Sequence, residues 1–84
     1  MAWFRNAAEQ GFIYAQFLLG VSYANGEGVP EDVKQACAWF SVVATYGDDQ
    51  AAELRDTAAK LLTPAEQAEA QALADQYLEQ YPYT

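Results

Sequence analysis

Apolar residues recur along most of the chain at intervals of three and four, the spacing that places side chains on one face of an α-helix. This spacing predicts helices over residues 2–10, 13–25, 31–46 and 48–62, and a last helix that runs from residue 64 to Pro82. No stretch alternates apolar and polar residues for long enough to form a strand. The pattern therefore predicts an all-α chain of about five antiparallel helices.

Each predicted helix after the first carries an apolar face that we expect to be buried. In the second and third helices these faces comprise Ala15, Leu19, Tyr23, Val33, Ala36, Phe40, Val43 and Ala44. In the fourth and fifth helices they comprise Ala51, Leu54, Ala58, Leu61, Leu62, Ala70, Leu73, Ala74, Tyr77, Leu78 and Tyr81. A chain of 84 residues has room for only one domain around these faces.

The strongest local signal is the start of the last helix. Thr63 is a good N-cap, Pro64 suits the first helical position, and Glu66 can bond back to the Thr63 amide. Asp48 is likewise a good N-cap for the fourth helix, and Gly47 is expected to end the third. These residues predict two helix boundaries.

The sequence repeats itself with a period typical of helical solenoids. The segment Ala2-Trp3-Phe4 recurs as Ala38-Trp39-Phe40, an offset of 39 − 3 = 36 residues. The same offset relates Gly11 to Gly47. A period in the thirties with two helices per unit indicates stacked helical hairpins.

With these positions in order, the chain resembles a Sel-1-like repeat, a relative of the tetratricopeptide repeat with a longer period. The matching positions are Ala15, Leu19, Gly20, Tyr23, the turn at residues 26–30, Asp32, Ala36, Trp39, Phe40, Val43, Ala44 and Gly47. The resemblance implies a single domain with the fold of a right-handed α/α superhelix. Residues 2–11 would be the second half of a repeat, 12–47 a full repeat, and 48–84 a degenerate half repeat with a capping helix.

The resemblance also implies that the chain binds a partner protein or peptide in a groove lined by the first helix of each pair, here residues 13–25. Ala15, Leu19 and Tyr23 match the family core, so the other apolar residues of this helix remain for a partner. The predicted groove residues are Tyr14, Phe17, Leu18 and Val21. Phe17 and Leu18 have an alternative role in packing between repeats.

A second apolar surface is expected at the front of the chain. Trp3, Phe4 and Ala7 match a helix whose preceding partner helix is missing, and an uncovered apolar flank usually marks an interface. The alternative to a partner-binding module is therefore a self-associating homodimer through these residues, or the C-terminal fragment of a longer solenoid. A molar mass that rises with concentration would identify the homodimer.

The net charge of the chain limits the classes of partner that it is expected to bind. The net charge is −8, from 12 acidic and 4 basic residues, which opposes binding to nucleic acid and to anionic membranes. The chain has neither an 18-residue apolar run nor the pattern of a signal peptide, so the expected location is cytoplasmic. It would be periplasmic if the chain were cut from a longer exported protein.

The sequence gives little support for catalysis, a cofactor or a metal, and none of the three is expected. Histidine, the commonest general base and metal ligand, does not occur. The single cysteine, Cys37, is expected to be a buried apolar residue rather than a reactive thiol. Asp48, Asp49 and Glu53 lack the spacing of a calcium loop, and helix capping explains them better.

Overall fold

The computed structural model describes residues 12–26 and 31–81. This part of the chain contains four helices and no strand: α1 Ile13–Asn25, α2 Val33–Thr45, α3 Asp49–Ala59 and α4 Pro64–Gln80. The all-helical prediction is therefore confirmed. The helix predicted over residues 2–10 lies outside the described residues.

Helix α2 lies at the centre of the described fold. It packs against α1, α3 and α4, whereas no other pair of these helices packs extensively. Gly20 allows the close approach of α1, because a Cβ at this position would stand only 2.8 Å from the Phe40 ring.

Helix α4 is attached to α2 by aromatic stacking. The rings of Trp39 and Tyr77 lie 4.2 Å apart and are nearly parallel, and Tyr81 extends the stack at 6.2 Å from Trp39. The Tyr77 hydroxyl donates a 2.6 Å hydrogen bond to the side-chain oxygen of Gln35. The small residues of this interface, Ala70 and Ala74, are fully buried. Large rings and small alanines thus fill the space between α2 and α4.

Side-chain caps fix the starts of three helices. Asp48 accepts the Ala51 amide at 2.9 Å, and Thr63 and Glu66 form the reciprocal capping box that the sequence predicts. Asp32 also caps, accepting the Gln35 amide at 3.1 Å with an extended backbone of its own. Helix α2 consequently begins at Val33 rather than at the predicted residue 31.

The turn between α2 and α3 depends on Gly47. Its φ angle is +98°, and in the described part of the chain no atom beyond its sequence neighbours lies within 4 Å of the place where a Cβ would stand. Asp48 follows with extended backbone and starts α3. The predicted end of the third helix is therefore confirmed to within two residues, since α2 ends at Thr45.

The structure corrects the prediction that Leu61 is buried. Helix α3 ends at Ala59, and the chain then turns through residues 60–62 towards Pro64. Proline disfavours a helical backbone in the residue before it, and Thr63 is extended, so α3 ends before this point. Leu61 therefore leaves the helical register, and 72% of it is exposed.

Candidate protein-binding groove

Helices α1 and α3 form the two walls of an apolar groove, and α2 forms its floor. One end of this α1/α3 groove is a depression of about 200 Å³, called here the apolar depression. It is lined by Val21, Ala24, Asn25, Val33, Phe40, Leu54, Thr57, Ala58 and Leu61. The surface offers aliphatic side chains around the Phe40 ring, which suits an apolar group from a partner.

The other end of the groove lies at the N-terminal ends of α1 and α3 and is called here the N-terminal depression. It has a volume of about 380 Å³ and is lined by Ile13, Tyr14, Phe17, Asp48 and Gln50. An adjoining depression brings the C-terminal end of α2 to the same place, with Val43, Tyr46 and Gly47 beside Asp48. This end of the groove is therefore both aromatic and polar.

The structure distributes the predicted groove residues over both depressions. Tyr14 and Phe17 line the N-terminal depression, and Val21 lines the apolar depression. Tyr14 is 73% exposed, whereas Phe17 is partly buried with its ring 5.8 Å from that of Phe40. Leu18 is also partly buried, but it is not among the lining residues of either depression.

Sequence reasoning missed the second wall of the groove. The sequence pattern predicts Leu54, Ala58 and Leu61 as core residues alone, yet all three line the apolar depression. The available signal was Leu61, an apolar residue two positions beyond the last residue of α3. A leucine that the helix cannot direct into the core is a candidate for contact with a partner.

The remaining candidate chemistry is structural. Cys37 is buried with Ala58 and Ala70, as predicted, and this burial raises the pKa of its thiol. In residues 12–26 and 31–81, no group of three or more acidic, Cys or His side chains could hold a metal ion. No helix in this part of the chain is long and apolar enough to cross a membrane. The predicted self-association residues Trp3, Phe4 and Ala7 lie outside the described residues.

Comparison with known proteins extends these observations. The crystal structure of c5321, a protective antigen of uropathogenic Escherichia coli with an SLR fold, is similar with a TM-score of 0.90 and 41% identity. That match covers 95% of this chain and 17% of the antigen. The chitin synthase regulator SKT5 of Malassezia restricta is 34% identical over 55 residues, which is 66% of this chain and 4% of the regulator. The chain thus spans a small part of each relative.

The family model of the Sel1 repeat matches residues 1–12 and 13–42, which make up 12 + 30 = 42 of the 84 residues. The helical-solenoid fold implied by the sequence agrees with the SLR fold of the antigen. Sel1 repeats generally form non-catalytic scaffolds for protein–protein contacts. The chain belongs to the Sel1 repeat family.

Proposed function

We propose that the chain binds a short segment of a partner protein in the α1/α3 groove, without catalysing a reaction. The observation that carries this proposal is the pair of large apolar side chains exposed on opposite walls, Tyr14 on α1 and Leu61 after α3. Each is more than two-thirds exposed, and each borders a depression. Exposed apolar side chains around a preformed groove are typical of interaction surfaces.

The shape of the groove favours a peptide over a small molecule. Pockets for small ligands enclose most of the ligand surface, whereas these depressions follow one another along the side of a helix. Helix α1 has 13 residues and is therefore about 20 Å long, the span of about six residues of extended chain. A segment of this length would contact both depressions at once.

The test uses dodecapeptides displayed on phage, selected on the immobilised chain and then measured individually by fluorescence anisotropy. We expect selected peptides to bind the Tyr14→Ala, Val21→Ala double variant about tenfold more weakly or worse, because two interface anchors are truncated. Leu18→Ala is the matched control: it shortens an apolar side chain of the same helix that lines neither depression.

Circular dichroism would establish that each variant is folded. Unchanged peptide affinity of a folded double variant would contradict the proposal, and so would a selection that enriches no peptide. Equal losses in the double variant and in Leu18→Ala would show that the binding face is not the groove. A loss confined to the double variant would support it.

A further inference from the structure

The two ends of the groove differ in chemistry. The apolar depression is lined by aliphatic side chains and Phe40, with Asn25 and Thr57 as its polar residues. The N-terminal depression places two aromatic rings, Tyr14 and Phe17, beside the carboxylate of Asp48. A partner that fits both ends therefore needs two unlike side chains.

The N-terminal depression favours a positive charge. Asp48 uses one carboxylate oxygen to cap α3, but a carboxylate can accept several hydrogen bonds and keeps its negative charge. The C-terminal end of α2 adjoins this depression. The partial negative charge of its carbonyl groups offsets the partial positive charge at the N-terminal end of α3.

The described basic residues do not neutralise this end of the groove. Lys34 forms an ion pair with Glu69 of α4, and Arg55 pairs with Asp56 at 3.1 Å. Neither of these residues, nor Lys60, lines either depression. With a net charge of −8 over the whole chain, a cationic partner is complementary and an acidic one is repelled.

Arginine suits this site better than lysine does. Its planar guanidinium group can stack on an aromatic ring and donate several hydrogen bonds in the same plane. Tyr14 offers an exposed ring, and the side chains of Asp48 and Gln50 offer oxygen acceptors. Lysine would supply the charge without the stacking surface.

The distance between the two ends sets the spacing of the partner residues. Tyr14 and Val21 are seven residues apart on α1, a distance of about 10 Å along the helix, which one three-residue turn of a polyproline II helix would span at about 3.1 Å per residue. We propose, building on the function proposed above, that the partner segment is basic and adopts a polyproline II conformation, in which side chains three positions apart lie on the same side. It places an arginine in the N-terminal depression and a branched aliphatic side chain, three positions away, in the apolar depression.

The first experiment titrates the ¹⁵N-labelled chain with a synthetic octapeptide that contains Leu-Ser-Ser-Arg between glycine and serine residues. We expect saturable amide shifts on both walls of the groove at millimolar peptide. A second octapeptide with citrulline in place of arginine keeps the planar shape without the charge, and we expect about threefold to fivefold weaker binding from it. Equal binding of the two peptides, or no shifts from the arginine peptide at about 5 mM, would overturn the inference.

The second experiment changes the protein. Asp48→Asn keeps a good N-cap for α3 but removes the charge, so the arginine peptide should lose about threefold to fivefold in affinity and the citrulline peptide should lose little. Asp49→Asn is the matched control, because it removes the same charge from the next residue, which lines neither depression. An equal effect of both variants would indicate a response to net charge and would contradict a site at Asp48.

These outcomes separate the two proposals. The displayed peptides could lose affinity for the Tyr14→Ala, Val21→Ala variant and yet show no preference for arginine. This result would overturn the inference of a basic segment and would still support the groove as the binding site. Binding that depends on arginine but is unchanged in the Tyr14→Ala, Val21→Ala variant would contradict the proposal that the groove is the binding site.

Discussion

Phe40 has two roles at the level of single residues. Its ring fills the space that Gly20 leaves on α1, and it also forms part of the floor of the apolar depression. Phe17 packs on it from the side, with the ring planes inclined by 60°. A change at any of these three positions would therefore alter both core packing and the shape of the binding surface.

Gly20→Ala separates helix propensity from packing. Alanine alone would stabilise an exposed helix by about 1 kcal/mol relative to glycine. Here its Cβ would stand 2.8 Å from the Phe40 ring, and such overpacking typically costs about 1–3 kcal/mol. We expect the variant to be destabilised overall by about 1 kcal/mol, measured by urea unfolding.

Phe40→Leu provides the partner for a double-mutant cycle. The smaller side chain should relieve the contact, so the double variant should be more stable than the sum of the single effects predicts. A Gly20→Ala variant more stable than the wild type would contradict the packing argument.

At the level of elements, side-chain caps determine where three of the helices start. Contact with α2 determines which face of each other helix is buried. The capping box of α4 lies at the surface. The pKa of Glu66 is lowered first by the hydrogen bond that its carboxylate accepts from the Thr63 amide. The Thr63 hydroxyl and the charge of Lys34 lower the pKa of Glu66 further. The start of α4 should therefore respond to acid.

The pH dependence has a definite sign. Because folding lowers the pKa of Glu66, its contribution to stability is present above the pKa of the unfolded chain and is lost as the pH falls through the folded value. Glu66→Gln keeps a hydrogen-bond acceptor but cannot titrate. We expect the stability advantage of the wild type over this variant to shrink between about pH 5 and about pH 3.

Thermal unfolding at each pH would measure this difference. Glu79→Gln, near the opposite end of α4, removes the same charge without touching a cap. Parallel stability curves for the wild type and Glu66→Gln across the acid range would contradict the assignment.

At the level of the whole molecule, α2 connects two separate surfaces. Helices α1 and α3 form the groove with it, while α4 packs against it through Trp39 and Tyr77 and lines neither depression. Cys37 packs with Ala58 of α3 and Ala70 of α4. This buried cluster is separate from the one that contains Trp39. Opening of α4 should therefore expose Cys37 while the groove stays formed.

Tyr77→Leu tests this separation. Loss of the ring stack and of the hydroxyl bond to Gln35 should cost about 2 kcal/mol and raise the rate at which Cys37 reacts with a thiol reagent by about tenfold or more. The affinity for groove peptides should stay unchanged. Tyr77→Phe keeps the ring and should give a smaller increase in the rate. If Cys37 of the Tyr77→Leu variant reacted with the thiol reagent no faster than in the wild type, the role of the stack would be contradicted.

Local signals in the sequence are sufficient for two of the three side-chain caps and for most of the core. Asp48, Thr63 and Glu66 act on backbone groups within three residues, so their roles depend little on the rest of the fold. The prediction for Leu61 is wrong because helical periodicity does not hold past the end of α3, where the chain turns towards Pro64. The second wall of the groove depends on how α1 and α3 both dock on α2, which no local pattern reports.

The turn at Gly47 has a stereochemical consequence. Its backbone is left-handed, but the space around the missing Cβ is open, so handedness rather than bulk excludes other residues there. D-alanine, for which this region of φ is the ordinary one, would fit without a clash. It would also restrict the unfolded chain more than glycine does. At this turn, a mirror-image residue is better matched to the fold than any of the nineteen chiral natural ones.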